Sequence, residues 1–372
     1  MTPRSLVAHN GARELGGAER WLLRLLERLQ ERGHRVLLLC RDEGMAELAR
    51  AAGVPADVGR LGGAASLHHV SRFAARLRQE RPDALLLGTF KKTWLGGMAA
   101  RRAHVPRVVA RIGLETDLPT RGAHYRVAFD RWIDRVVVNA AGLRAPLLAG
   151  PPPLPQGRVV VIENGVDVPA RALPPGELRR RLGIPEDAPV VGAIARLVPQ
   201  KRLELLLAAV ARTAGARAVI AGDGSERAAL ERRAAELGVA DRVAFLGHRE
   251  DVGDVLDALD LFAVTSRTEG MSNAMLEALA AGVPVLSTPV SGAREALERN
   301  ASGRAPGWIV EPTEDAVAER LGWLLADRAA LRAAGDVARE RARQRFAWGP
   351  LLDRWESVLW GAGDGSAESA AP

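Results

Sequence analysis

A strand, a turn, a helix and a second strand follow one another in LFAVTSRTEGMSNAMLEALAAGVPVLST, residues 261–288. The apolar runs LFAVTS (261–266) and VPVLST (283–288) have the length of buried strands, and the Ala-rich segment between them has a helical pattern. Two strands joined by a helix in this way lie parallel in one sheet. A strand followed by a turn and a helix N-terminus is also the usual geometry for holding an anion.

Two carboxylates, Glu269 and Glu277, lie on either side of that turn. Carboxylates repel phosphate, so we expect them to accept hydrogen bonds from hydroxyl groups instead. A helix N-terminus suits phosphate, and the two carboxylates suit hydroxyls. Together they indicate a nucleotide sugar as the ligand.

The length and composition indicate a globular protein of two domains. The chain has 372 residues, with 47% hydrophobic and 26% charged residues. No apolar run approaches the ~18 residues that span a membrane, and residues 1–17 lack the apolar core of a signal peptide. Cys40 is the only cysteine, which excludes an intramolecular disulfide. We therefore expect a cytoplasmic protein.

The formal net charge of +7 favours anionic partners such as a nucleotide, a phospholipid surface or a nucleic acid. Composition bias is the alternative, because the chain is rich in Arg throughout. The Arg residues are not interleaved with aromatic residues, and one Tyr and six Phe argue against platforms for stacking single-stranded nucleic acid. We expect no nucleic acid partner.

Apolar runs alternate with helical patterns along the whole chain, as in α/β folds with parallel sheets. In the first half, helices are predicted over 18–33 and 71–82, and strands over 6–10, 34–40, 83–90, 107–112 and 135–139. Residues 158–167 are predicted to form a strand that ends in a turn. In the second half, strands are predicted over 189–195, 217–222, 242–247, 261–266 and 283–288. We expect two parallel-sheet domains that meet near 166–172, with ligands beyond the carboxyl ends of the strands in a cleft between them.

Two cations and two glycines follow predicted strands of the second half. Arg196 offers a planar fork of donors and Lys201 a mobile point charge, which together suit a diphosphate. Gly222 and Gly224 would let the backbone approach a base or a ribose closely, although Gly-Asp-Gly is also an ordinary turn. The backbone of FLGHRED (245–251) is placed to read a base edge, with His248 or Arg249 near the ring. The alternative is that His248 is an ordinary surface-loop histidine.

The Gly-rich segment of the first half, GARELGGAE (11–19), is not an ATP-binding P-loop. Ala18 and Glu19 stand where a P-loop has Lys and Ser or Thr, and the segment is not Gly-x-Gly-x-x-Gly. Gly16 and Gly17 nevertheless suit close approach by a diphosphate or a sugar. No D-x-D motif and no His/Cys cluster with metal-ligand spacing occurs in the sequence. The three-residue spacing of Asp254, Asp257 and Asp260 indicates one face of a helix and not a metal site.

Several motifs occur in a fixed order along nearly the whole chain: Gly16-Gly17-Ala18-Glu19, Asn164-Gly165-Val166-Asp167, ARLVPQK (195–201), AGDGSE (221–226), FLG (245–247), and Glu-x7-Glu with GMSNAMLEALAAGVPV. In this combination the chain resembles the retaining, GT-B-fold glycosyltransferases of family 4, group 1. That family includes bacterial lipopolysaccharide, exopolysaccharide and phosphatidylinositol-mannoside transferases.

The resemblance implies an α/β protein of the GT-B class, with two Rossmann-like domains facing across a deep cleft. Residues 1–168 would form an acceptor-binding domain, and residues 169–345 a domain that binds the nucleotide sugar. A final helix over 346–360 would return to the first domain. The small, polar residues 361–372 are expected to be disordered.

The resemblance also implies roles for individual residues. Arg196 and Lys201 would stabilise the departing diphosphate, and Glu269 would contact hydroxyls of the transferred sugar. The remaining donor-site residues implied are Glu277 at the ribose diol, backbone donors at Met271, Ser272 and Asn273, and Gly17, Gly222 and His248. The donor would be a UDP- or GDP-linked sugar, with no metal and no further cofactor.

This sequence departs from the family at one place. Many relatives carry a His after the first-domain strand that corresponds to 107–117, whereas this chain offers Arg111, Glu115 and Asp117 there and no His. Either a carboxylate or the Arg takes over the task of that His, or the acceptor is bound differently. We expect one of these two carboxylates to touch the acceptor, and Lys92 to meet an anionic acceptor such as a lipid phosphate. The acceptor would be a glycan or glycolipid, reached by an enzyme peripheral to the inner face of the plasma membrane. The alternatives are a nucleotide-sugar 2-epimerase-like isomerase and a non-catalytic nucleotide-sugar binder.

Overall fold

A computed structural model describes residues 2–12, 14–62, 67–88, 93–114, 123–150 and 153–361. The chain divides into two compact units, Met1–Glu163 with Gly349–Pro372, and Asn164–Trp348. The passage from the first unit to the second therefore lies at Glu163–Asn164, a few residues before the boundary expected at 168. Of the tail 361–372 for which disorder is expected, only Gly361 belongs to the described residues.

Within its described residues, the first unit contains a parallel sheet of seven strands. The strands are β1 (Ser5–Asn10), β2 (Arg35–Cys40), β3 (Ala56–Val58), β4 (Ala84–Leu87), β5 (Arg107–Ile112), β6 (Arg135–Val138) and β7 (Val159–Val161). Their order in the sheet is β3-β2-β1-β4-β5-β6-β7. The sheet therefore grows outward from β1 in both directions, and the order reverses between β1 and β4. Every strand predicted for this half contains a strand of the structure, although β4 ends at Leu87 and β7 covers only Val159–Val161. The short β3 was not predicted.

The α-helices described in the first part of the chain are α1 (Gly17–Glu31), α2 (Glu43–Ala51), α3 (Leu67–Glu80), α4 (Thr93–Arg102), α5 (Ala123–Val127) and α6 (Arg144–Ala149). The sequence of α1 shows why such a helix packs on a sheet. Leu22, Leu25, Leu26 and Leu29 recur at the spacing of one helix face, and all four are buried. The face that α1 turns to the sheet is thus continuous and apolar.

Six strands of the second unit form another parallel sheet, again counted over its described residues. They are β8 (Val190–Ile194), β9 (Arg217–Ala221), β10 (Val243–Gly247), β11 (Leu261–Val264), β12 (Val285–Ser287) and β13 (Gly307–Ile309). Their order is β10-β9-β8-β11-β12-β13, which is the order of a Rossmann fold. The order reverses between β8 and β11. The predicted strands of this half are confirmed, and the short β13 was not predicted.

The α-helices described in the rest of the chain are α7 (Glu177–Arg181), α8 (Leu203–Arg212), α9 (Arg227–Glu236), α10 (Val252–Asp257), α11 (Asn273–Ala281), α12 (Ser291–Ala296), α13 (Glu314–Ala326), α14 (Arg328–Arg345) and α15 (Trp348–Trp360). Apolar cores cover both faces of the second sheet. Val190 and Phe262 belong to one core, whereas their neighbours Val191 and Ala263 belong to the other. This alternation is what a strand buried on both faces requires.

The C-terminal helix α15 packs within the first unit. Trp355 is fully buried, with its ring centroid 5.7 Å from that of Trp21 in α1. Beside it, the buried carboxylate of Glu356 lies 3.0 Å from Arg32 Nη1 and 3.2 Å from His34 Nε2. A charged group in such a place needs partners of this kind. The segment 349–361 is therefore an integral part of the first unit.

The three aspartates around α10 hold the segment that opens the second unit. The carboxylates accept backbone N–H groups as follows: Asp254 from Ala172 and Leu173, Asp257 from Gly176, and Asp260 from Val190, at 2.7–3.0 Å. Their spacing indicates one helix face, but α10 ends at Asp257, so Asp260 lies outside the helix. Asp254 is only 2% exposed. These residues thus serve the structure of the unit.

Charge is divided unequally between the two units. The sequence of the first unit holds 27 Lys and Arg against 19 Asp and Glu, and that of the second holds 25 against 26. The positive charge of the chain therefore belongs to the first unit. None of the described helices is long and apolar enough to cross a membrane. In the same residues, no three His, Cys, Asp or Glu side chains form a group that could hold a metal ion.

Candidate active site

Lys201 and Glu269, two of the residues singled out in the second half, come together where the strand order of the second sheet reverses. The turn after β8 contains Arg196 and ends in a 3₁₀ turn, Pro199–Lys201. The loop after β11 contains Glu269 and leads into α11. Because β8 and β11 are neighbours and parallel, both connections leave the same edge of the sheet. Such a reversal point is where open α/β sheets bind their ligands.

Lys201 and Glu269, 68 residues apart in sequence, form a hydrogen-bonded ion pair at this edge. The two side chains are only 18% and 10% exposed. Ser266 Oγ donates a second hydrogen bond, 2.8 Å long, to the carboxylate oxygen that Lys201 contacts. The carboxylate is thus held by a cation and a hydroxyl donor.

Further hydrogen bonds tie together the two loops that carry this pair. Thr265 Oγ1 donates to the carbonyl of Lys201 at 2.8 Å. Gln200 Nε2 donates to the carbonyl of Thr268 at 2.7 Å, and the N–H of Arg267 donates to the carbonyl of Gln200 at 2.9 Å. The positions of Lys201 and Glu269 are consequently fixed through backbone as well as side-chain contacts. Thr265 and Ser266 were not predicted as site residues. Their place after a buried strand, where parallel sheets bind ligands, is the feature of the sequence that could have indicated them.

The turn before α11 is fixed from two directions. Ser272 caps the helix, because its Oγ accepts a hydrogen bond from the N–H of Met275 at 3.4 Å. Asn164, only 1% exposed, donates from Nδ2 to the carbonyl of Met271 at 3.2 Å and to Asn273 Oδ1 at 2.7 Å. Asn164 occurs in a motif of the family resemblance, but the sequence assigns it no role at this turn.

One pocket opens at the carboxyl ends of β8 and β11, and its lining contains three of the predicted residues, Lys201, Glu269 and Ser272. It is lined among others by Ala195, Lys201, Thr265, Ser266, Glu269 and Ser272. Its wall thus contains the cation Lys201, the carboxylate Glu269 and Ser272, the N-cap residue of α11. This combination suits a ligand that carries both negative charge and hydroxyl groups.

Arg196 lies exposed on the turn after β8, and its guanidinium forms no ion pair with the described residues. The turn itself is pinned to the loop after β9, because the N–H of Leu197 donates to the carbonyl of Asp223 at 2.8 Å. A Cβ on Gly222 would lie 1.9 Å from the carbonyl oxygen of Ala195, and φ at Gly222 is +128°. Gly222 therefore permits close approach of the protein's own backbone. Its approach to a base or ribose remains a prediction.

The other predicted donor-site residues lie outside the lining of this pocket. Glu277 is partly buried in the second turn of α11, and His248 is exposed just after β10. The next residue, Arg249, pairs with Asp251 at 2.7 Å between Nε and Oδ1, and this hydrogen bond lowers the pKa of Asp251. Gly17 is the first residue of α1 and belongs to the first unit.

The predicted acceptor-side residues Glu115, Asp117 and Lys92 lie outside the described residues. In the described part of that region, Arg111 in β5 is buried, with its guanidinium carbon 4.0 Å from the Trp21 ring centroid. Burial lowers the pKa of Arg111 to about 10, so the group remains a cation at neutral pH. The first sheet thus also carries a buried charge near the end of a central strand.

Comparison with known proteins gives two family matches, one for most of each unit. Residues 15–169 match Glycosyltransferase Family 4, and residues 176–341 match Glycosyl transferases group 1. The junction between the two matches falls in the segment that Asp254 and Asp257 hold.

Several curated proteins are similar in sequence. The lipopolysaccharide core biosynthesis glycosyltransferase LpsE of Rhizobium meliloti is 29% identical over 300 residues, covering 74% of this chain and 77% of LpsE. A GDP-mannose-dependent alpha-(1-6)-phosphatidylinositol monomannoside mannosyltransferase of Mycobacterium tuberculosis is 36% identical over 204 residues, covering 50% of each chain. The D-inositol 3-phosphate glycosyltransferase of Mycolicibacterium smegmatis is 34% identical over 231 residues, covering 59% of this chain and 51% of that protein. The matches thus span about half the length of the last two relatives.

Solved structures agree in fold. Anabaena HepE in complex with UDP and glucose superposes with a TM-score of 0.81 at 24% identity, covering 95% of this chain and 99% of HepE. WaaG, a glycosyltransferase involved in lipopolysaccharide biosynthesis, gives a TM-score of 0.72 at 18% identity, covering 96% of this chain and all of WaaG. With its two parallel Rossmann-like sheets and its two family matches, the chain belongs to the GT-B glycosyltransferases, as a family 4 domain followed by a group 1 domain.

Proposed function

We propose that this protein is a metal-independent, retaining glycosyltransferase that moves a sugar from a nucleoside diphosphate sugar to a hydroxyl group of a glycan or glycolipid. The observation that carries the proposal is the Lys201–Glu269 pair at the reversal point of the second sheet, next to the N-terminus of α11. The cation and the helix terminus complement a diphosphate, and the carboxylate complements sugar hydroxyls.

The reaction breaks the bond between the anomeric carbon and the β-phosphate oxygen and forms a bond from that carbon to the acceptor oxygen. The electron pair of the broken bond stays on the diphosphate, and the acceptor proton passes to the departing diphosphate. Negative charge therefore grows on the phosphate oxygens, where Lys201 and Arg196 would stabilise it. Because side-chain cations and a helix terminus meet this charge, the reaction needs no metal. Retention rests on the family resemblance.

The pairing of Lys201 with Glu269 implies an exchange of partners when the donor binds. In the structure, the ammonium group of Lys201 neutralises the carboxylate of Glu269. A bound diphosphate would take over Lys201, and Glu269 would turn to hydroxyls of the transferred sugar. The pair thus keeps both groups ready in a largely buried place, where an unpaired charge would be costly.

The donor would be linked to UDP or GDP. HepE is solved with UDP and glucose, and several similar mannosyltransferases depend on GDP-mannose. In the proposed complex Glu277 accepts hydrogen bonds from the ribose diol. The backbone N–H groups of residues 271–273 donate hydrogen bonds to the phosphates and the sugar. Gly17, Gly222 and His248 complete the donor site.

The acceptor would be a membrane-linked glycan or glycolipid in cell-surface polysaccharide synthesis. The support comes from relatives named for lipopolysaccharide core and phosphatidylinositol mannoside synthesis. The excess of cations in the first unit would favour an anionic acceptor and a peripheral position on the inner face of the plasma membrane. Glu115, Asp117 and Lys92 are proposed to contact the acceptor.

A donor screen by nucleotide release tests the proposal. The protein would be incubated with UDP-glucose, UDP-galactose, UDP-N-acetylglucosamine and GDP-mannose and a mixture of glycolipid acceptors, with and without EDTA. We expect acceptor-dependent release that EDTA leaves intact, and a product whose anomeric configuration, read by NMR, equals that of the donor.

Two controls make the screen decisive. Lys201→Ala should abolish most of the release, whereas Arg212→Ala, which removes an exposed cation of the same unit, should leave it unchanged. Epimerised nucleotide sugar in the absence of acceptor would show an isomerase and contradict the transferase proposal. Absence of binding to UDP, GDP and ADP in calorimetry would contradict both enzymatic functions.

A further inference from the structure

Asn164 is a buried residue that contacts the turn of the candidate donor site. The mechanism proposed above gives it no role. It is the first residue of the second unit and is only 1% exposed. Its carboxamide donates hydrogen bonds to the carbonyl of Met271 and to Asn273 Oδ1, residues 107 and 109 positions later in the sequence. Both contacts are made to the turn that precedes α11.

The contact to the Met271 carbonyl fixes the orientation of a whole peptide group. In a planar trans peptide the C=O and the following N–H point in opposite directions. A carbonyl of Met271 directed at Asn164 therefore directs the N–H of Ser272 away from Asn164. Ser272 lines the pocket that contains Lys201 and Glu269. In the part of the chain that the structure describes, no acceptor takes the N–H of Ser272.

The second contact fixes the side chain at the first position of α11. Asn273 Oδ1 accepts the 2.7 Å hydrogen bond from Asn164, so its carboxamide cannot turn that oxygen toward the helix N-terminus. An oxygen in that place would compete with an anionic ligand for the N–H groups at the start of α11. Asn164 thus keeps a carbonyl and a carboxamide oxygen away from the place where negative charge is expected.

From these contacts we propose that Asn164 is a positioning residue of the donor site, which holds the Met271–Ser272 peptide so that the N–H of Ser272 donates to the donor diphosphate. The inference rests on the proposed function, because it names the ligand of that same site. Without Asn164 the peptide is able to turn over and to present the Met271 carbonyl to the phosphate, which replaces an attraction with a repulsion. Asn164 itself touches no reacting atom.

Asn164→Asp is the decisive variant, because it keeps the shape of the side chain and removes its N–H donors. We expect its affinity for UDP or GDP, measured by calorimetry, to fall about tenfold or more, which is the loss of one hydrogen bond to a charged group. With the matching nucleotide sugar, kcat/KM should fall by at least the same factor. Asn164→Ala should also lower the nucleotide affinity and kcat/KM.

Thr213→Val is the matched control. Thr213 is a buried residue of the same unit whose hydroxyl donates to the carbonyl of Ala209 at 2.9 Å, at the far end of α8. This variant also loses one buried hydrogen bond, so it should lower the melting temperature as Asn164→Asp does, with nucleotide affinity unchanged. An Asn164→Asp protein that is folded and binds nucleotide like the parent would overturn the inference while leaving the proposed function intact.

A measurement on the parent protein covers the case in which the Asn164 variants do not fold. In protein labelled with ¹⁵N-serine, the amide signal of Ser272, assigned with Ser272→Thr, should shift when UDP or GDP is added. A nucleotide that binds without moving this signal overturns the inference. If the parent binds neither UDP, GDP nor ADP, the proposed function and the inference fall together.

Discussion

Replacing Lys201 with Met tests whether Lys201 and Glu269 act as one unit. The change removes the ammonium and keeps an unbranched apolar stem. The Glu269 side chain is only 10% exposed, so water has little access to its carboxylate. Without Lys201, the hydrogen bond from Ser266 is the one described side-chain contact that still stabilises the charge. Removing one partner of a buried pair costs about 3–5 kcal/mol, and we expect about 3 kcal/mol because Ser266 remains.

The partner variant and the double variant complete the cycle. Glu269→Gln keeps an acceptor for Lys201 and Ser266, so it should cost only about 1.5 kcal/mol. In the double variant no charge is left buried, and the cost should be about 2 kcal/mol instead of the ~4.5 kcal/mol sum of the single changes. The coupling energy is then about 2.5 kcal/mol.

Urea unfolding of the four proteins, followed by circular dichroism, measures these free energies. The exposed pair Arg212–Asp315 of the same unit, with side chains 53% and 90% exposed, provides the control cycle through Arg212→Met and Asp315→Asn. Its coupling energy should stay below about 1 kcal/mol. If the Lys201 and Glu269 variants are additive to within ~0.5 kcal/mol, the pair does not form in solution and our account of the site is refuted.

Three further changes test other parts of the structure. Arg196→Ala should weaken UDP or GDP binding by about 1–3 kcal/mol in calorimetry, with an unchanged urea midpoint, because the exposed guanidinium holds no described carboxylate. Asp254→Ala should lower the free energy of unfolding by about 1–3 kcal/mol in urea titration, because two part-buried backbone N–H groups lose their hydrogen bonds to the buried carboxylate; an unchanged midpoint would contradict the assigned role. Burial raises the pKa of Cys40 from its ordinary 9.0 to about 11, above its value in the unfolded chain. The stability that this thiol contributes is therefore complete below about pH 9 and is lost as the pH rises towards 11, so the parent should lose more stability over that range than Cys40→Ala.

The sheets were predictable because most of their strands are runs of apolar residues. The stretch 84–87, Ala-Leu-Leu-Leu, is fully buried, as its uninterrupted run of apolar residues predicts. By contrast, β3 is Ala-Asp-Val and β13 is Gly-Trp-Ile, three residues each. Such short segments become strands only because a neighbouring strand pairs with them, and a local pattern contains no information about that neighbour.

The site was predictable as a set of residue types, but its contacts were not. Lys201 and Glu269 could be named from their places after apolar runs. Their pairing depends on β8 lying next to β11, and this order follows from the packing of the whole sheet. Asn164 illustrates the same limit, because Asn-Gly in a sequence indicates a turn, whereas burial and distant partners decide its role.

The position of α15 has a consequence for how the protein is made. The first unit needs Trp355 beside Trp21, and Glu356 beside Arg32 and His34, to complete its packing. On the ribosome these residues emerge only after all of 164–348, a contiguous segment that contains every strand of the second sheet. The first strands to be synthesised therefore belong to the unit that is completed last. For an extended interval the nascent chain exposes the apolar surface that α15 later covers, and chaperones that bind such surfaces have their longest opportunity there.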